Sequence, residues 1–238
     1  MTNQRRIVRR EPSSSPRFSW SALRPAELLG TFRAYFGLGN AARMGPIDTP
    51  EALAQFLDTR AAFIAQTSLY GYLRTRMGMR YPELFADDAF VEGVNIAKWQ
   101  IWLDCLSDVS VYAGSRIAQQ FPRETPRVAE MMGVLIDDIL ARTGQPHDAG
   151  NEFLSHSESV RERIARTDWL AVGDLDAAFT RSPASVVRWA PVMDNLKALD
   201  EEIVLNSVTF RWQEVRRAFT RHLDAGAIIA RLPEAPAN

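Results

Sequence analysis

Glu152 and His156 come nearest, by type and spacing, to the pattern of a metal site. They are four residues apart in a stretch that predicts a helix, so both would lie on one helical face, with His147 just upstream. A zincin pairs two histidines in H-E-x-x-H, and a di-iron bundle supplies Glu-x-x-His from two helices, but neither pattern occurs here. The stretch is therefore interpreted as a solvent-facing polar helix, and the sequence predicts no metal and no cofactor.

Nucleophilic catalysis would need a hydroxyl or thiol beside a base. The α/β-hydrolase nucleophile lies on a strained G-x-S-x-G turn, and that motif is absent. The histidines available as bases are His147, His156 and His222, and none has a neighbouring pattern that completes a triad. A hydrolase therefore stays open as an alternative, with Ser115 and Ser155 as the first serines to test.

Asp104 and Asp108 form part of the one polar stripe on an otherwise apolar helix. A carboxylate in such a place is costly unless it is exposed or paired. Three arrangements stay open: the two carboxylates face solvent, they meet arginines such as Arg216 and Arg217, or they line a pocket.

The formal net charge of −1 hides an asymmetry along the chain. Residues 1–43 contain eight arginines and two acids, a net charge of +6, which leaves −7 for the remainder. A basic arm on an acidic body favours an anionic partner such as phospholipid, or an arm that folds back on its own body, while a solvated tail is the plain alternative. No RNP, C-x-x-C or basic-zipper pattern points to nucleic acid, so none is expected as a partner.

The arm leads into a stretch with the pattern of a short amphipathic helix, capped by Ser21 and with Pro25 in its first turn. Such a helix either inserts its apolar face into an anionic leaflet or packs that face on the body. The residues assigned to membrane or partner binding are Arg5, Arg6, Arg9, Arg10, Arg17, Trp20, Leu28, Leu29, Phe32 and Phe36.

Helix signals follow one another through the rest of the chain, and no period-2 alternation, hairpin dipeptide or fixed repeat predicts a strand. The predicted starts are Thr49-Pro50 (to about Met77), Asp87-Asp88 (to about Phe121, with a kink near Gly114), Thr125-Pro126 (to Gly144), Asn151 and Ser182-Pro183. The sequence therefore predicts an all-α protein, an irregular bundle of five or six long helices in one domain. Residues 1–20 are expected to be a disordered basic arm, 21–225 the helical domain and 226–238 a loose tail.

The last helical region contains two apolar runs with the same spacing. Pro191 should end a helix at Ala190. The first run after it is Val192, Leu196, Leu199 and Ile203, and the second is Val208, Trp212, Val215 and Phe219. The five-residue step between the runs shifts the stripe to another face, so both are expected to pack on a globular core around which the helix wraps.

The single cysteine, Cys105, lies in an apolar stretch and cannot form an intramolecular disulfide. No apolar run approaches the roughly 18 residues of a membrane span, and the N-terminal stretch lacks the apolar region of a signal peptide. These features favour the cytoplasm.

The stretches FLDTRAAFIAQTSLYGYLRTRMGMRYPELF, NIAKWQIWL and VRWAPVMDNLKALDEEIVLNSVTFRWQEVRR resemble a family of bacterial helical proteins of no characterised activity, some labelled esterase automatically. The resemblance covers most of residues 45–225 and implies a hydrolase, with no catalytic residue to transfer.

The residues themselves favour a non-enzymatic helical interaction or adaptor protein of the cytoplasm, with an unknown protein partner. Its basic arm and first helix would make it peripheral at the inner membrane surface. An esterase-like hydrolase is the alternative, and the oligomeric state is not fixed by the sequence.

Overall fold

The computed structural model describes residues 45–172 and 175–233. All regular elements within these ranges are helical, and the one β-type contact is an isolated bridge between Ile47 and Leu223. The helices of seven or more residues are α1 (Pro50–Met77), α2 (Asp88–Gln120), α3 (Thr125–Thr143), α4 (Phe153–Arg166), α5 (Ser182–Trp189), α6 (Asp194–His222) and α7 (Ala225–Arg231). A single helical turn, Tyr81–Leu84, lies between α1 and α2. The all-α prediction is confirmed for this part of the chain, whereas the arm of residues 1–20 and the helix predicted after it lie outside the described residues.

Side-chain caps fix the first residues of α1 and α2. The Thr49 side chain accepts a hydrogen bond from Ala52 N at 3.0 Å, and Pro50 occupies a first-turn position where its missing N–H costs nothing. The Asp87 carboxylate caps α2 by accepting from Ala89 N and Phe90 N. Both starts are confirmed as the sequence predicts them.

Two other predicted caps are each wrong by one residue. Thr125 is the first residue of α3 rather than its cap, because its hydroxyl donates to Pro122 O at 2.8 Å. Helix α4 begins at Phe153, and Glu152, not Asn151, precedes it without a side-chain capping bond. The 3-10 turn Pro122–Glu124 leads directly into α3, and a turn at residues 151–152 leads into α4, so each helix begins without a side-chain cap.

Helix α2 is the centre of the bundle and packs against α1, α3, α4 and α5. It runs through Gly114 as one element, where a kink was expected. A Cβ atom at Gly114 would lie 2.3 Å from Cζ3 of Trp169, so glycine is needed here for the close approach of the indole. The side chain of Cys105 is fully buried in this helix, and burial raises the pKa of its thiol well above the usual range.

Helix α6 packs on the core with only one of its two apolar runs. Val208, Trp212, Val215 and Phe219 are all buried, as predicted. The expectation for the first run is wrong: Leu199 and Ile203 are 74% and 72% exposed. The five-residue step between the runs turns the first run away from the core instead of wrapping the helix around it.

The chain from 226 onward was expected to be loose, but residues 225–231 form α7. The Asp224 carboxylate caps this helix by accepting from Ala227 N, and Ile228 is fully buried. The guanidinium of Arg127 binds the carbonyls of Ile229, Leu232 and Pro233, which anchors the end of the described chain to α3.

Candidate functional site

An imidazole held at both ring nitrogens lies between α2 and α4. His156 Nδ1 is 2.7 Å from Gln100 Oε1, and His156 Nε2 is 2.9 Å from Asp104 Oδ1. Gln100 Nε2 donates to the carbonyl of Ala149 at 3.0 Å, so its oxygen is the atom that faces the ring. The ring also stacks on Trp189, with ring centroids 6.4 Å apart.

Both ring nitrogens of His156 therefore face acceptor oxygens. The contacts to Gln100 and Asp104 occupy both nitrogens, and neither nitrogen contacts a nucleophilic side chain among the described residues.

A cavity of about 620 Å³ opens beside this ring, between α2, α4 and α5. Asp104 and His156 form part of its wall, and Glu152, Ser155 and Ser159 belong to the α4 side. The α5 side supplies Arg181, Ala184, Ser185, Arg188 and Trp189. The wall thus includes side chains of both charge signs beside the apolar surface of Ala184 and Trp189.

Asp108 is one helical turn from Asp104 but is fully buried and holds α5 in place. Its Oδ2 accepts from Ser182 N and from Ser182 Oγ, both at 2.7 Å. Its Oδ1 accepts from Arg163 Nη1 at 2.5 Å, and the Arg181 amide donates to both oxygens at 3.2–3.3 Å. The carboxylate therefore does for α5 what an N-cap side chain does for its own helix.

The partner of Asp108 is Arg163, not Arg216 or Arg217 as one of the sequence alternatives supposed. Burial raises the pKa of the Asp108 carboxyl, while Arg163 and the two Ser182 donors counter that rise. Asp104 lines the cavity and Asp108 does not, so the two residues have different roles.

The serines singled out in the sequence are not paired with a base. Ser155 Oγ donates to Glu152 O at 2.9 Å, and Ser115 Oγ is buried without a hydrogen-bond partner among the described residues. No serine hydroxyl in ranges 45–172 and 175–233 has a hydrogen bond to His156. In the same ranges no three histidine, cysteine or acidic side chains are grouped to hold a metal ion.

The α5 side of the cavity was not predicted from the sequence. Arg181, Ser185, Arg188 and Trp189 follow a spacing of four, three and one, which places them on one face of a helix. This spacing was visible in the sequence. Because α5 has only eight residues, the pattern is too short to distinguish a cavity wall from an ordinary surface face.

A second feature is the outward face of α6. Leu199, Ile203 and Phe210 are 72–74% exposed and Met193 is 65% exposed. At 100° per residue, the first three fall within a narrow sector opposite the buried stripe of Trp212. We call these three residues, with the partly exposed Leu196, the α6 stripe.

The residues assigned to membrane or partner binding, from Arg5 to Phe36, lie outside the described residues. No helix in the part that the structure describes has the length and apolarity to cross a bilayer. Comparisons of this chain with protein-family models, with curated proteins and with solved structures return no match.

Proposed function

We propose that the protein is a non-enzymatic helical interaction protein whose docking surface is the α6 stripe. The observation that carries this proposal is the exposure of Leu199, Ile203 and Phe210, each above 70%, on one face of a well-anchored helix. Apolar side chains of this size contribute about 1.5–3 kcal/mol each when they are buried. Covering three such side chains in one row with a partner is therefore favourable.

The spacing of the stripe favours another helix as the partner. Leu196, Ile203 and Phe210 are seven residues apart, and Leu199 lies between the first two. Apolar residues at this spacing form the seam of paired helices. The buried face of α6 keeps the stripe in position, because Val208, Trp212 and Phe219 anchor the helix on the core.

The charges of α6 favour a second copy of this chain as that helix. The first half, 194–208, has four acids and one lysine, whereas the second half, 209–222, has four arginines and one glutamate. Two α6 helices that lie antiparallel across a two-fold axis would place each acidic half beside a basic half. A parallel pair would place like charges side by side.

Self-association should therefore be visible and should depend on the stripe. We expect the full chain to sediment as a dimer in analytical ultracentrifugation, and Ile203→Glu combined with Phe210→Glu to make it a monomer. Val134→Glu is the matched control, because Val134 is 55% exposed on α3 and outside the stripe. Added salt should weaken the dimer, since part of its stability comes from opposite charges.

Two results would contradict this assignment. A wild-type chain that stays monomeric from micromolar to millimolar concentration has no second copy on the stripe. A dimer that survives the double substitution uses another surface.

The sequence of the arm supports a further role at an anionic membrane surface. Its five arginines at 5, 6, 9, 10 and 17 precede an amphipathic pattern, and each basic residue near an anionic leaflet contributes about 1 kcal/mol. We expect the full chain to pellet with phosphatidylserine vesicles at low salt and to be released at high salt. Replacement of the five arginines by glutamine should abolish pelleting, whereas pelleting with purely zwitterionic vesicles would argue against a charge-driven contact.

A further inference from the structure

We infer that the cavity between α2, α4 and α5 binds a small organic oxyanion, a carboxylate or a phosphate monoester, through Arg181, Arg188 and Ser185. This inference is independent of the α6 stripe, because the cavity and the stripe share no residue.

The two arginines supply positive charge that the described protein does not neutralise. Within ranges 45–172 and 175–233, no carboxylate lies within 4 Å of either guanidinium. Arg181 Nη1 donates to Ser159 Oγ at 3.1 Å, which holds the side chain at the cavity wall. The Arg188 guanidinium lies 4.9 Å from the centre of the Trp189 ring. A guanidinium fork matches the two oxygens of a carboxylate or a phosphate, and both arginines line the same space.

Ser185 adds a buried donor to the same wall. Its side chain lines the cavity and the residue is only 3% exposed, yet Oγ has no hydrogen-bond partner among the described residues. Buried polar groups in folded proteins nearly always have a partner. Rotation of the Ser185 side chain toward the cavity would let an oxygen of the ligand supply that partner.

The acidic residues of the wall restrict which oxyanions fit. Asp104 Oδ1 contacts His156 Nε2, and no arginine of the described ranges forms an ion pair with Asp104. Glu152 is exposed at the α4 side and offers an acceptor to a hydroxyl group of the ligand. The volume of about 620 Å³ is that of a site for a small metabolite. The preferred ligand therefore combines one oxyanion with at least one hydroxyl group.

Isothermal titration of the full chain with glycerol 3-phosphate, glycerate and inorganic phosphate tests the site, with uncharged glycerol as the negative probe. We expect saturable binding of the two organic anions, weaker binding of inorganic phosphate and none of glycerol. Arg181→Gln with Arg188→Gln should lower the affinity by about tenfold or more, and Ser185→Ala by a few-fold. Arg188→Lys retains the charge but loses the fork, so it should also weaken binding.

Arg166→Gln is the matched control, because Arg166 lies on α4 with its side chain 80% exposed and outside the cavity. The inference fails if neither organic anion binds saturably to the wild-type chain. It also fails if Arg166→Gln weakens binding as much as the double substitution, since the contact would then be general charge attraction. Thermal melts of each variant separate lost binding from lost folding. Because Arg188 is exposed, the single variant Arg188→Gln should fold normally.

Discussion

Replacing Asp108 by alanine should lower the free energy of unfolding by about 3–5 kcal/mol, a large part of the stability of a domain of this size. The carboxylate is fully buried and accepts from Arg163, from the Arg181 amide and twice from Ser182. Its removal leaves the Arg163 guanidinium mostly buried without its carboxylate and the first turn of α5 without its cap. Urea unfolding followed by circular dichroism measures the change.

Two variants separate the causes of this loss. Asp137→Ala is the control, because Asp137 pairs with Arg161 at the surface, and it should cost less than about 1 kcal/mol. Adding Arg163→Met to Asp108→Ala should restore part of the stability if an unpaired buried charge is the main cost. A loss below about 1 kcal/mol for Asp108→Ala would show that the carboxylate does not hold α5.

Replacing Trp212 by alanine should lower the free energy of unfolding by about 3–5 kcal/mol. The indole is 1% exposed, contacts the tilted ring of Phe179 at 4.6 Å between centroids, and donates from Nε1 to Ser182 Oγ at 2.8 Å. Trp212→Phe keeps a ring and removes the donor, so it should cost about 1 kcal/mol for the hydrogen bond, with a further loss from the smaller ring.

Phe210→Ala is the matched control for Trp212→Ala on the same helix. Phe210 is 72% exposed, so its removal should change the stability of the monomer by less than about 0.5 kcal/mol. Measurement at low protein concentration keeps self-association from adding to the value. Equal losses for the two substitutions would contradict the assignment of the buried and exposed faces of α6.

Asp108 and Trp212 should not act independently. Ser182 Oγ donates to Asp108 and accepts from Trp212, so the three residues form one buried network. The losses from the two single substitutions should therefore sum to more than the loss from the double variant.

Local signals in the sequence predicted where most helices begin and end. Thr49-Pro50 and Asp87 start helices because hydroxyl and carboxylate oxygens next to the first turn accept its unpaired amides. Gly144 ends α3 at a φ of +62°, and Pro191 follows the end of α5 at Ala190. These outcomes depend on residues within one or two helical turns, which is the range over which a sequence pattern acts directly.

Local sequence patterns could not predict which side chains pair across the bundle. Asp108 meets Arg163 and Ser182, 55 and 74 residues later in the chain, and nothing local distinguishes Arg163 from the arginines at 216 and 217. The two apolar runs of α6 have the same spacing, so periodicity alone could not tell the buried run from the exposed one. Which run is buried depends on where the neighbouring helices lie against α6, a property of the assembled fold.

The bridge between Ile47 and Leu223 has a consequence for chain connectivity. Ile47 N donates to His222 O and Asp224 N donates to Ile47 O, while Arg231 Nη1 donates to the carbonyl of Asp48. The residues just before α1 and just after α6 therefore meet, as in domains that tolerate circular permutation. We expect a chain rejoined between α7 and α1, and opened at residues 144–145, before the Asp148 and Ala149 contacts with α2, to keep every helix. Folding of this permuted chain would show that the fold depends on which helices contact each other and not on their order along the chain.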